Sequence, residues 1–213
     1  MIILNLIQNM ALLIALAAIF QTAAPRMKKS LFKYQILTGL LFGSAGILEM
    51  MTPLKFMPGI IFDGRTIVLS VGGLFGGPVT ASIAAAVCGA YRWSLGGAGV
   101  WVGLGTILEA SALGVIFYYL RRHIAQPLSA PFLWLFGLLV HVGMLVILLA
   151  LPGGAGWAVL RQVGLPILAL FPLVTMMVCW LFLNYERQML NREALRASEE
   201  NYRTLFETMA QGV

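Results

Sequence analysis

The sequence predicts an all-α integral membrane protein, and three observations carry that reading. Of its 213 residues, 60% are hydrophobic and only 10% charged, against about 25% charged in an ordinary soluble domain. Apolar stretches of about 20 residues recur, the length a helix needs to cross a ~30 Å hydrocarbon core. The alternation of apolar and polar residues that marks a membrane β-barrel, the other spanning solution, is missing. The mean hydropathy of +0.90 agrees.

The elements follow in order. Residues 2–24 form a first span. It is retained rather than cleaved, because a secretory signal carries a basic region ahead of its apolar run and the first positive charge here is Arg26. Further spans are expected at 35–51, 100–120, 132–151 and about 163–183. Between 65 and 93 the chain is apolar but interrupted by Gly72, Gly73, Gly76, Gly77 and Pro78. A straight helix of that length would exceed the membrane thickness, and the glycines with the proline oppose continuity.

Charge placement decides how this stretch sits. Arg26, Lys28, Lys29 and Lys33 follow the first span, Arg121 and Arg122 follow 100–120, and Arg187, Arg192 and Arg196 follow the last. The positive-inside rule puts all three clusters in the cytoplasm. The N-terminus is then outside, and the second span returns to the outside near Thr52. Since residue 100 must also start outside, the intervening stretch has to enter and leave on one side. Two short helices, from Arg65 to about Gly76 and from Pro78 to Trp93, satisfy that parity. They form either a re-entrant hairpin or two thin crossings. The expected architecture is therefore five spans plus a Gly/Pro-broken hairpin, ending in a cytoplasmic helix.

The net charge of +6 does not indicate a nucleic-acid partner, because the bases lie in short clusters beside apolar spans. Cys88 and Cys179 each stand alone in an apolar stretch and read as packing residues, since a disulfide or metal site needs partners at close spacing. From Asn184 onward the segment NYERQMLNREALRASEENYRTLFETMAQGV carries most of the acidic residues and reads as a soluble helix. Leu183, Leu190, Ala194 and Ala197 keep a weak heptad step that could pair two chains in a homodimer.

The stretch PGIIFDGRTIVLSVGGLFGGPVTASIAAAVCGAYRWSLGGAGVWVGLG resembles the core signature of the LytS/YhcK-type five-transmembrane sensor domain. Its aspartate and arginine, its GLFGGP, its YR pair and its GG-x-G stand in that order, and the resemblance extends over roughly 1–184. ASEENYRTLFETMAQGV, at 197–213, is similar to the opening of a PAS domain. Three regions are expected: a transmembrane sensor domain at 1–184, a signalling-helix linker at 185–197, and the start of a PAS domain at 198–213. The resemblance implies the membrane half of a longer receptor, with a histidine kinase or sometimes a diguanylate cyclase as its output. A cognate response regulator is then a partner through that output. The family is associated with small carboxylates such as pyruvate, and the ligand class is implied by this likeness alone.

Ionisable groups within spans are costly and mark interiors or wet cavities. By the topology above, Arg65 and Arg92 both stand near the outer face, where their guanidinium forks suit a carboxylate. The structural alternative is that Arg65 pairs with Asp63 and Arg92 snorkels to the headgroups beside Trp93. Thr106 is a candidate ligand hydroxyl. Glu109 shares a helix face with Gly99, Gly103 and Thr106 and either shapes the pocket floor or locks the hairpin. Glu49 reads as a solvated end-of-span residue, His141 as hydrogen-bonded packing, and His123 as part of a cytoplasmic basic cluster.

No nucleophile–base pair, metal-ligand cluster or phosphate loop stands in the sequence, and GGLFGGP is not followed by the Gly-Lys-Ser/Thr of a P-loop. No catalytic residue, cofactor or metal is expected in this chain. The leading expectation is the sensor region of a signalling receptor in the bacterial inner membrane, with Asp63, Arg65, Arg92, Thr106 and Glu109 as ligand-binding residues. A transporter-like binding subunit is the alternative, because Gly-broken helices also build transporter sites. A plain membrane anchor is the third.

Overall fold

A computed structural model describes residues 31–52, 54–57, 60–123 and 128–211 together with position 15; side chains are described over 32–52, 63–123 and 128–203, and at position 15. The expected first span thus lies outside the described residues, apart from position 15. The described elements run α1 (Leu31–Met51), β1 (Leu54–Met57), β2 (Ile60–Phe62), α2 (Arg65–Ser94), α3 (Val100–His123), α4 (Ala130–Leu148), a single 3-10 turn (Pro152–Gly154) and α5 (Ala155–Gln211). Five of the helices are long and apolar enough to cross a membrane. The protein is an all-α, multi-pass membrane protein with one small addition. The strands β1 and β2 pair antiparallel, Leu54 opposite Phe62, an element with no signal in span length or charge.

Helix α2 is bent back on itself. Gly77 has φ 78° and ψ −170°, a backbone state essentially confined to glycine. Pro78 follows at the first position of the second half, where its missing N–H leaves no helical bond unmade. The contacts give the direction of each half. Phe42 of α1 meets Gly72 and Glu49 meets Gly64, so 65–76 runs antiparallel to α1. Gly39, Gly43 and Gly46 of α1 instead meet Ile83, Val87 and Cys88 in ascending order, so 78–94 runs parallel to it. The other flank agrees, since Gly77 lies on Tyr118 near the end of α3 while Arg92 lies on Gly103 near its start. The two halves form a hairpin that enters and leaves at the same end of the bundle.

Small residues allow this packing. A Cβ on Gly73 would stand 3.0 Å from the Gly114 Cα, and Gly114 itself faces the Ser70 carbonyl oxygen. Backbone-to-backbone approach of this kind is how membrane helices associate without a hydrophobic driving force between them. The Thr38 and Thr80 hydroxyls meet at 3.0 Å across the α1–α2 contact. Every residue from Thr66 to Gly77 is buried, the expected fate of a helix that is apolar on all sides. Non-helical backbone at Gly77 is thereby covered by protein, as a break at membrane depth requires.

The remaining helices close around the hairpin. Gly96 and Gly97, at φ 65° and 89°, turn the chain tightly from α2 into α3. Phe117 of α3 packs on Phe132 and Phe136 of α4, with ring centroids 5.3 and 4.8 Å apart. Gly137 of α4 lets Pro172 of α5 approach, and a Cβ there would lie 2.9 Å from the Pro172 Cα. Pro166 and Pro172 lie within α5, tolerated in spanning helices where neighbours cover the freed carbonyls. Exposed Trp93 and Trp101 stack edge-to-face at 5.4 Å beside the hairpin mouth, a placement suited to a membrane–water interface.

Candidate functional site

The hairpin mouth is built where α1 ends and α2 begins. Asp63 and Gly64 immediately precede α2, and the Arg65 backbone N–H donates to Asp63 Oδ1 at 3.1 Å. The Arg65 guanidinium Nε also stands 3.5 Å from that same oxygen, with the two side chains 17% and 4% exposed. The pair that stood as the alternative to ligand binding is therefore present, and Asp63 engages Arg65 twice. A carboxylate held at a helix N-terminus gains further from the helix dipole.

Arg92 returns to the same place from the other half of the hairpin. Its charge lies within electrostatic reach of both Arg65 and Asp63. Nη1 donates to the Gly96 carbonyl oxygen at 3.0 Å, and the side chain lies along Gly103, where a Cβ would collide with it. A Cβ on Gly99 would be 3.6 Å from Nη2. The glycines of α3 thus make the groove in which Arg92 rests. Two guanidinium groups and the Asp63 carboxylate thus stand at this mouth, with the Glu49 carboxyl group against Gly64 beside them.

Thr106 is buried one turn below Gly103, and its hydroxyl donates to the Gly103 carbonyl oxygen at 2.9 Å. Its oxygen retains acceptor capacity. Glu109 goes elsewhere: it faces α4, lying against Gly143, and both carboxylate oxygens are buried with no hydrogen-bond partner among the described residues. Asp63, Arg65 and Arg92 are gathered at one mouth, while Glu109 belongs to the α3–α4 seam.

Glu49 requires a correction. It is not solvated but fully buried, because Gly64 comes back over it and donates its N–H to Glu49 Oε2 at 3.0 Å. Its Oε1 is buried without a partner among the described residues. A Cβ on Gly64 would stand 2.7 Å from Oε2, so glycine at 64 is what permits the contact. His141 is buried as expected, with Nδ1 2.7 Å from the Gly137 carbonyl oxygen. That oxygen can only accept, so Nδ1 carries the hydrogen. Nε2 is then left facing the Thr66 hydroxyl at 3.5 Å, a link from the first turn of α2 to α4 that had no signal in the sequence.

No group of three or more metal-ligating side chains occurs among the described residues. A polytopic helical protein with a buried, same-sided hairpin and ionisable side chains at its mouth is thus the class the fold defines. The family model 5TM-5TMR_LYT (5TMR of 5TMR-LYT) matches residues 17–185. The chain belongs to this family, a membrane sensor domain of histidine kinases. Neither a curated protein nor a solved structure matches the chain.

Proposed function

We propose that the chain is the ligand-sensing membrane region of a two-component histidine kinase, and that its ligand is a small extracytoplasmic carboxylate of the pyruvate type. The observation that carries this reading is that the hairpin returns Arg92, on its second half, to the end of the bundle where Arg65 pairs with Asp63. Like charges gathered in a partly buried place repel, and an arriving anion relieves that repulsion. The ligand carboxylate bridges the two guanidinium forks, Asp63 holds Arg65 in position, and Thr106 borders the floor beneath Arg92.

The mouth faces outside and α5 leaves into the cytoplasm, in keeping with the basic clusters at Arg121, Arg122, Arg187, Arg192 and Arg196. The membrane is the bacterial inner membrane. Residues 198–213 open a PAS domain, the receptor works as a homodimer, and a response regulator receives its signal. Ligand binding shifts the hairpin only by as much as its affinity differs between two packings.

Pyruvate titration of the purified chain by calorimetry tests this reading. Arg65→Ala and Arg92→Ala are each expected to weaken binding by about 10- to 100-fold, the worth of a charge-assisted hydrogen bond. Undiminished affinity in both variants rejects the site. Uptake of pyruvate into proteoliposomes would instead favour a transporter.

A further inference from the structure

The far end of the hairpin carries a group of contacts that ligand binding does not use. Phe75, two residues before the break, is buried with its ring centroid 5.1 Å from that of Phe182 on α5. Phe182 also meets Phe42 of α1 at 5.9 Å. The Arg121 guanidinium stands 5.1 Å from the Phe75 ring centroid and 5.8 Å from that of Tyr118. It also reaches Glu186 of α5 with both prongs, Nη2 to Oε1 at 3.3 Å and Nη1 to Oε2 at 3.5 Å. Tyr118 lies directly under Gly77, so a Cβ there would be 2.9 Å from its Cζ.

Phe182 and Glu186 are one helical turn apart and share a face of α5. They are also close to the last side chains of α5 that the rest of the protein covers, since every residue from 190 to 203 is exposed. Arg65 and Phe75 stand on the same buried half-helix, about 15 Å apart along its axis. A helix enclosed on all sides moves as a unit, because packed interiors transmit displacement rather than absorb it.

The geometry points to a coupling clamp: Phe75 and Arg121 grip Phe182 and Glu186, so that movement of the hairpin is delivered to α5 where it leaves the bundle. The clamp rests on the sensor reading above and supplies its route of transmission. Arg121 serves twice within it, as a cation over an aromatic face and as a forked partner to a carboxylate. The ion pair closes the clamp at the bundle edge, and the Phe75–Phe182 contact forms its apolar part.

Hydrogen exchange of the chain in lipid nanodiscs tests the clamp with and without ligand. Without ligand, Glu186→Gln is expected to raise exchange of amides 183–190 about threefold, the range for a partly exposed ion pair, while 100–116 stay unchanged. The reversed pair Arg121→Glu with Glu186→Arg should recover at least half of the lost protection. Wild-type exchange in Glu186→Gln overturns the clamp. With saturating pyruvate, wild-type exchange over 187–203 should change, and Glu186→Gln should bind pyruvate equally well yet lose that change. A full pyruvate response in Glu186→Gln also overturns it. Phe75→Ala, if it folds, should behave as Glu186→Gln does. Failure of wild type to bind pyruvate rejects the ligand reading, and the ligand-free comparison still decides the clamp.

Discussion

The backbone N–H of Gly64 donates to Glu49 Oε2 at 3.0 Å, fastening the start of the hairpin to the end of α1. A side chain at 64 would enter the space of that carboxylate. Gly64→Ala is therefore expected to destabilise the protein by about 1–3 kcal/mol, as overpacking of a filled interior does. Glu49→Gln, which keeps an amide oxygen for the Gly64 N–H, should be milder than Glu49→Leu, which leaves that donor unpaired. Thermal unfolding in detergent ranks the three, and equal melting of Glu49→Leu and wild type would show that the fastening contributes nothing.

The hairpin turn makes a second prediction. Gly77 sits at φ 78° against Tyr118, so an alanine there meets both a disfavoured backbone state and a side chain. Gly77→Ala should lower stability by about 1–3 kcal/mol, with a visible loss of monodisperse protein on size exclusion. Tyr118→Ala in the same background should return part of that loss by removing the obstruction. Normal stability of Gly77→Ala would mean the chain can turn here without glycine.

Thr38 and Thr80 are buried and share a hydroxyl contact at 3.0 Å between α1 and the returning half of the hairpin. A double-mutant cycle with Thr38→Val and Thr80→Val should give a coupling of about 0.6 kcal/mol, reaching at most ~1.7 kcal/mol, the span measured for hydrogen bonds between membrane helices. Zero coupling would indicate that backbone carbonyl oxygens of α1 satisfy both hydroxyls, that of Tyr34 for Thr38 and that of Gln35 for Thr80.

Gly103 gives a prediction specific to the ligand site. Because a Cβ there collides with Arg92, Gly103→Ala should displace that guanidinium. Pyruvate binding should then weaken by about tenfold, one charge-assisted bond, with the fold retained on circular dichroism. Glu109→Gln, at the α3–α4 seam, should bind pyruvate within about twofold of wild type, being outside the arginine pair. A larger loss in Glu109→Gln would return that residue to the site.

Much of this architecture is legible in the sequence, and for identifiable reasons. Span positions follow from run length, and the hairpin follows from where Arg26, Arg121 and Arg187 stand and from the breakers at Gly76, Gly77 and Pro78. The return of Arg92 to the end of the bundle that holds Arg65 is legible once the hairpin is, since the chain folds back at Gly77. The burial of Glu49 is not legible. It depends on a residue 15 positions later arriving through the short strands β1 and β2, whose pairing has no charge or length signature. The environment of Glu109 is hidden for a similar reason. Helical spacing puts it near the face of Thr106, but only the packing of α4 decides that Gly143, and not Arg92, lies opposite. His141 reads as packing from its lone place in an apolar span, but its link to Thr66 depends on the fold.

The half-helix from Thr66 to Gly77 meets protein on every side, and this bears on how the molecule is made. An apolar segment of this kind gains from leaving water, but alone in lipid it would leave the broken backbone at Gly77 uncovered. Its place exists only once α1 and α3 stand on either side. Stable seating of the hairpin in the membrane is therefore expected to depend on both neighbours, so that disrupting either α1 or α3 exposes the break at Gly77.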